Sequence, residues 1–351
     1  MKFLVRLVLT IALLASLFLS FIPAALAAQP LAMEEFMVPS DTPGIKLYVR
    51  NKHPQGVSKF PADKILLYVH GATYPASTAF DLKLNGLSWM EFMAAHGYDV
   101  YLVDLRGYGK STRPPEMDQP AEAGEPIVRT ETAVKDVGTV VDFILKRRGA
   151  GKLNLLGWSW GTSTMGWYTA QHNDQVAKLV LYAPQWVRTN PSLTDAGGKL
   201  GAFRVVGRDA ARARWLKGVP EDKQADLIPP GWFEAWAEAT FAQDPQGRDK
   251  APQTLRAPNG VVADGREFWS AGKELYDPGQ IRVPTLIVHA EWDNDLPSPL
   301  AQAYFARLVN VPYKRFVEIG EGTHTIIMEK NRRQLFEAVQ HFLDEKVKPG
   351  E

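Results

Sequence analysis

Short apolar runs alternate with stretches of helical periodicity over most of the chain, a rhythm that predicts strands and helices in turn. Ile65-Leu66-Leu67-Tyr68-Val69 ends at His70-Gly71, Val100-Tyr101-Leu102-Val103 at Asp104, and Leu153-Asn154-Leu155-Leu156 at Gly157. Leu179-Val180-Leu181-Tyr182 ends at Ala183-Pro184, Thr285-Leu286-Ile287-Val288 follows Pro284, and Val311 to Ile319 gives a last strand before Gly320. Such unbroken apolar runs suit strands buried on both faces of a parallel sheet. Helical patterns cover Gly86 to Ala95, Thr130 to Arg148, Gly161 to His172, Pro299 to Leu308 and Asn331 to Val347. The last of these carries Leu335, Phe336, Val339, Phe342 and Leu343 on one helical face. Glu35 to Ser40 and Ile45 to Arg50, separated by Asp41-Thr42-Pro43-Gly44, predict an antiparallel hairpin at the sheet edge. The expected fold is therefore α/β, with a mostly parallel central sheet of about eight strands and helices on both faces.

The rhythm breaks between residues 187 and 280. This stretch holds Trp215, Trp232, Trp236 and Trp269, has helix-like pieces and shows no convincing strand series. Pro229-Pro230-Gly231 and Pro258-Asn259-Gly260 punctuate it into short units. It reads as a mainly helical lid inserted between two sheet strands, expected to cover a mostly apolar pocket. Residues 29–186 and 281–351 then form the two parts of the sheet core.

Residues 1–28 read as a signal peptide. Lys2 and Arg6 make a basic start, Leu7 to Ile22 is almost unbroken apolar sequence, and Ala25-Leu26-Ala27 supplies a small-x-small cleavage pattern. The run falls short of the ~20 residues that a spanning helix needs. Export to the periplasm or beyond is expected, with cleavage after Ala27 or Ala28 and no stable membrane anchor afterwards.

Charge narrows the partners. The chain has 40 Lys and Arg against 39 Asp and Glu, which argues against nucleic acid as a ligand. With 45% hydrophobic and 11% aromatic residues it has ample material for a core. It has no Cys, which excludes disulfides, thiolate nucleophiles and cysteinyl metal sites. The sequence has no H-E-x-x-H, no P-loop and no G-x-G-x-x-G at a strand-to-helix turn. No metal and no cofactor are expected.

The most informative segment is Leu155-Leu156-Gly157-Trp158-Ser159-Trp160-Gly161, in which an apolar strand runs into G-x-S-x-G and then a helix. A nucleophile on so sharp a turn has a strained backbone and needs small neighbours, so that strand and helix can approach. The turn would lift the Ser159 hydroxyl to the positive end of the helix, where developing negative charge is stabilised. A serine needs a base, and the base an orienting acid. In an open α/β sheet with such an elbow the order along the chain is Ser, acid, His. That order leaves His324 and His341 downstream. His341 lies within a helix, whereas His324 lies in the loop Gly320-Glu321-Gly322-Thr323-His324 leaving the last strand. His324 is therefore the expected base. The loop after Thr285 to His289 offers Glu291, Asp293 and Asp295 as the acid, and His289 reads as a buried strand-end histidine. Backbone N–H groups of Ala72, in the turn His70-Gly71-Ala72-Thr73, and of Trp160 are the expected oxyanion donors. Trp158 is expected at the pocket floor and Trp186 at its rim.

Taken together, these residues resemble the α/β-hydrolase fold family over nearly all of the mature chain. Asp104-Leu105-Arg106-Gly107-Tyr108-Gly109-Lys110-Ser111 is similar to a structural loop of that family, which implies no chemistry for Asp104 or Arg106. Asp293-Asn294-Asp295-Leu296-Pro297 matches its acid loop, D-x-x-x-P, and the resemblance makes Asp293 the acid. Asp295 is then expected to cap the helix beginning near Pro299 or to remain solvated. A serine at the nucleophile position makes relatives that use Asp, such as haloalkane dehalogenases and epoxide hydrolases, poor guides to the reaction. The Ser-Trp-Gly run is similar to prolyl aminopeptidases. The resemblance implies a serine hydrolase with a small-molecule substrate, an ester first and an amide or peptide second. A non-catalytic binding module on the same fold is the contrasting expectation.

Overall fold

The computed structural model describes residues 30–346, so the expected signal peptide lies outside the described residues. In chain order the strands are β1 (Leu31–Pro39), β2 (Lys46–Pro54), β3 (Ile65–Val69), β4 (Asp99–Asp104) and β5 (Leu153–Trp158). They continue with β6 (Val176–Tyr182), β7 (Phe203–Gly207), β8 (Thr254–Pro258), β9 (Thr285–Ala290) and β10 (Lys314–Ile319). The longer helices are α1 (Trp89–Ala95), α2 (Thr130–Arg148), α3 (Trp160–Gln171) and α4 (Arg208–Trp215). After them come α5 (Trp232–Phe241), α6 (Gly260–Glu267), α7 (Ser298–Arg307) and α8 (Arg332–Asp344).

Eight strands form the central sheet in the order β1-β2-β4-β3-β5-β6-β9-β10. The β1–β2 hairpin is antiparallel, as expected, and β2 runs antiparallel to β4. From β4 to β10 every pairing is parallel. Successive residues of a strand point to opposite faces, and the core divides accordingly. Ile65, Leu67, Val69, Leu155 and Leu181 pack on one face with Val137, Val141 and Ile144 of α2 and Met165 of α3. Leu66, Tyr68, Leu156 and Val180 pack on the other with Phe92 and Met93 of α1 and Leu335, Phe336 and Val339 of α8. Both faces are covered, which is why these strands read as unbroken apolar runs.

Parallel strands carry their loops in register at the carboxyl edge. The turns after β3, β5 and β9 and the loop after β10 therefore open at one edge of the sheet, where they bring Gly71, Ser159, Asp293 and His324 together. The segment between β6 and β9 packs into the same compact unit as the sheet. It contains α4, α5 and α6, but also an antiparallel pair, β7 with β8, from Phe203↔Pro258 to Gly207↔Thr254. The sequence gives no hint of this pair because its strands are short and carry arginines. Arg256 of β8 is buried, satisfied by an ion pair to Asp244 at 2.7 Å.

Candidate active site

Ser159 sits between β5 and α3 with φ 57° and ψ −120°. A non-glycine residue in such a conformation carries roughly 1–3 kcal/mol of strain and persists only where its surroundings over-determine it. Here its N–H donates to the Tyr182 carbonyl at 2.9 Å, and its own carbonyl accepts from the Thr162 N–H at 2.9 Å. The two glycines are fixed by contact. A Cβ on Gly157 would lie 2.2 Å from the Gly161 oxygen, and one on Gly161 would lie 2.5 Å from the Val69 oxygen. The G-x-S-x-G spacing is thus what lets β5, the elbow and α3 pack against β3.

His324 donates from Nδ1 to Oδ2 of Asp293 at 2.8 Å. Asp293 is buried, and its other oxygen accepts the Leu296 N–H at 2.8 Å, so both carboxylate oxygens are held. Burial would lower the pKa of His324, but the charge and hydrogen bond of Asp293 outweigh it and raise the imidazole above its ordinary 6.5. The backbone of the histidine loop is held as well. Trp158 Nε1 and the Tyr182 hydroxyl both donate to the His324 carbonyl, at 3.1 and 2.7 Å, and the two rings stack 5.7 Å apart. Ser159 and His324 line one cavity, without a direct hydrogen bond between them in this conformation. Such bonds are often long before substrate binds and tighten in the complex.

The other acid-loop and histidine candidates have different partners. Asp295 neither caps α7, whose N-cap Pro297 offers no side-chain bond, nor remains solvated. It is buried and paired with Arg214 of α4 at 2.8 Å; burial alone would raise its pKa, but the charge and hydrogen bond of Arg214, together with the charges of His324 and Arg188, lower it on balance. The expectation of a cap or a solvated carboxylate is corrected by a partner that lies far away in sequence. Glu291 is exposed and accepts the Glu321 N–H at 2.9 Å. His289 is buried at the end of β9, with Nε2 bonded to the Leu296 carbonyl at 2.8 Å. His341 is exposed on α8.

The turn after β3 is braced from three sides. His70 donates from Nδ1 to the Gly71 carbonyl at 2.7 Å and accepts the Leu105 N–H on Nε2 at 3.1 Å. Burial lowers its pKa to about 4, so the ring is neutral. The Ala72 carbonyl accepts from the Tyr108 hydroxyl at 2.9 Å and from Arg204 Nη2 at 2.7 Å. Asp104 accepts the N–H groups of Ser77 and Lys110, each at 3.1 Å. The 104–111 loop is therefore a brace for the turn. Ala72 and Trp160 both border the space beside Ser159. The Trp160 side chain points into the core, where its Nε1 donates to Thr130 Oγ1 at 2.9 Å, so only its backbone is available to a reacting group.

The space above Ser159 has two compartments, and both are bordered by Arg214 and Asp295. One is walled by Tyr74, Trp158, Trp215 and Trp236, with His324 and Thr325 at its edge. The other is lined by Gln185, Arg188, Ser192, Thr194 and Ser270 as well as Trp269 and Val261. The expected apolar pocket accounts for the first; the polar second was not foreseen. Trp158, expected at the floor, lines the first compartment. Trp186 is not at the rim, because its ring is buried edge-on against Tyr304 at 5.0 Å in the core below. Tyr182, Arg188, Arg214 and Glu329 were missed. Among the described residues no group of three or more His, Asp or Glu is placed to hold a metal ion.

Comparison with known proteins bears on the fold. The sequence profile of the alpha/beta hydrolase fold family matches residues 64–331. An epoxide hydrolase 2 of Siraitia grosvenorii is 28% identical over 149 residues, 42% of this chain and 40% of that protein. A multifunctional-autoprocessing repeats-in-toxin of Vibrio cholerae is 24% identical over 189 residues, 50% of this chain. The chain spans only 4% and 40% of the lengths of these two curated relatives. Among solved structures, a thermophilic esterase from Thermogutta terrifontis superposes with a TM-score of 0.57 at 16% identity, covering 88% of this chain and 98% of its own. A matched stretch that runs from the start of β3 past the histidine loop, on an eight-stranded mostly parallel sheet, places the chain in the α/β-hydrolase fold family.

Proposed function

We propose that the protein is an exported serine hydrolase that cleaves a carboxylic ester through an acyl-enzyme. The observation that carries this reading is the 2.8 Å contact between His324 Nδ1 and Asp293 Oδ2, in a cavity shared with a serine on a strained elbow. Asp293 keeps the proton on Nδ1, which leaves Nε2 free to act as a base. Ser159 Oγ attacks the ester carbonyl carbon while Nε2 takes its proton, and the carbonyl oxygen becomes an oxyanion. The N–H groups of Ala72 and Trp160 donate to that oxyanion. Collapse breaks the bond to the alcohol oxygen, which receives the proton from His324. A water deprotonated by the same nitrogen then attacks the acyl-serine, and the carboxylic acid leaves.

The aromatic walls supplied by Trp158, Trp215 and Trp236 favour an apolar group on the substrate, with the insertion between β6 and β9 acting as the lid. The fold neighbour from Thermogutta terrifontis is an esterase, which agrees with an ester as the substrate class. Export through the apolar N-terminal run belongs to the same reading. The test is a series of p-nitrophenyl esters of increasing acyl length, run beside aminoacyl anilides on the purified protein. Ester turnover that is lost in Ser159→Ala is expected. Turnover of the anilides alone would move the reading to an amidase or peptidase.

A further inference from the structure

Resting on the ester-hydrolase reading, we propose that the polar compartment beside Ser159 is the acyl subsite and that Arg188 selects acyl groups ending in a carboxylate. The assignment of sides follows from proton transfer. The leaving oxygen must lie within reach of the imidazole that protonates it, so the alcohol part belongs in the aromatic compartment that His324 borders. The remaining substituent on the carbonyl carbon then points into the other compartment, which borders Ser159 and Trp160 but not His324.

Arg188 lines that compartment and is only 4% exposed. Its Nε donates to the Asn190 carbonyl, and its Nη2 donates to the carbonyls of Pro191 and Asp295, all at 2.9 Å. These bonds fix the guanidinium plane. Among the described residues Nη1 has no hydrogen-bond partner, and no carboxylate lies within ion-pair distance of the guanidinium. The acids of the compartment are already engaged, Asp195 by Arg266 and Asp295 by Arg214. Asp293, beyond it, is held by His324. Arg188 is thus a buried cation with no carboxylate in direct contact, and a buried cation without a paired counter-ion is costly. A carboxylate at the end of the acyl chain would supply that counter-ion and the acceptor that Nη1 lacks. Ser192 and Thr194 share a hydroxyl–hydroxyl hydrogen bond of 2.7 Å on the same wall, which leaves one hydroxyl hydrogen to donate to its outer oxygen.

The test compares monobenzyl glutarate and monobenzyl adipate with benzyl pentanoate and benzyl hexanoate, reading released benzyl alcohol. The wild-type protein is expected to have the higher kcat/KM on the acid esters. Arg188→Gln is expected to lower the ratio of acid-ester to neutral-ester kcat/KM by about 10- to 100-fold, the range of a hydrogen bond to a charged group. Arg188→Lys, which keeps the charge, should retain part of the preference, and it replaces the Gln variant if that protein does not fold. A wild-type preference for the neutral esters, or equal losses on both ester types in the Gln variant, overturns the proposal and leaves Arg188 a brace for the loop. If none of the esters is turned over, the ester reading itself fails. The subsite is then decided by glutarate binding. A rise in melting temperature with glutarate in the wild type but not in Arg188→Gln upholds it, and no rise in either overturns it.

Discussion

Arg214 on α4 meets Asp295 at 2.8 Å, so an ion pair ties the insertion to the loop that also carries Asp293. The pair stands between the two compartments above Ser159. Two acids placed two residues apart thus do different things, one facing the histidine and the other the insertion. Asp295→Asn leaves Arg214 without its carboxylate and is expected to lower stability by up to about 3 kcal/mol, the lower end for breaking a buried pair. Urea unfolding of Asp295→Asn, Arg214→Gln and the double variant checks this, because the double variant should lose less than the sum of the single ones.

Asp293→Asn keeps the shape of the acid but no longer favours the Nδ1–H tautomer of His324. Its kcat is expected to fall by up to about 10⁴, the loss seen when the orienting acid of a serine triad is changed in this way. Asp295→Asn should lower kcat far less. Measuring kcat for the two variants under the same conditions separates the roles, and the reverse order would move the acid by two residues.

The pH dependence follows from the same contact. His324 must be neutral to accept the Ser159 proton, and Asp293 raises its pKa above 6.5. Activity is therefore expected to rise with pH through an acid limb whose midpoint lies above 6.5. Asp293→Asn should shift that midpoint downward while lowering the plateau. A kcat/KM profile on one neutral ester checks both, and a wild-type midpoint below 6.5 would contradict the pairing.

Glu329 links the insertion to the histidine loop from beneath. It accepts from Trp215 Nε1 at 2.7 Å, from the Thr323 N–H at 3.0 Å and from the Thr323 hydroxyl. Burial raises its pKa from the ordinary 4.5 to about 7. The unfolded chain releases this proton near pH 4.5 and the folded protein only near 7. The stability tied to the protonated form is thus full below 4.5 and is lost as the pH rises to about 7. Glu329→Gln cannot ionise. The difference in unfolding free energy should move in favour of this variant by roughly 3 kcal/mol between pH 4.5 and 7.5. Urea titrations at both pH values test it, and a difference independent of pH would remove the buried acid from the account.

Periodicity disclosed the central sheet because strands buried on both faces must be apolar throughout, and β3 and β6 leave little else to read. Ser159 was legible because steric need fixes the residues around it, as Gly157 and Gly161 show, and His324 because it lies in the loop after the last strand in the expected chain order. Contacts between distant segments were not. Nothing local marks Arg214 as the partner of Asp295, or Tyr182 as the donor to the His324 carbonyl. Trp186 shows the same limit from the other side, since a tryptophan after a strand fits a pocket rim and a core equally well until Tyr304 is seen beside it. The β7–β8 pair stayed hidden because Arg204 and Arg256 break the apolar pattern.

The most direct test of the central claim is the intact mass of the protein after exposure to a serine-directed phosphonate, followed by peptide mapping. One adduct is expected, on Ser159, lost in Ser159→Ala and formed much more slowly in Asp293→Asn. A protein that takes up no phosphonate, or takes it up at a residue other than Ser159, would contradict the assignment of an activated serine.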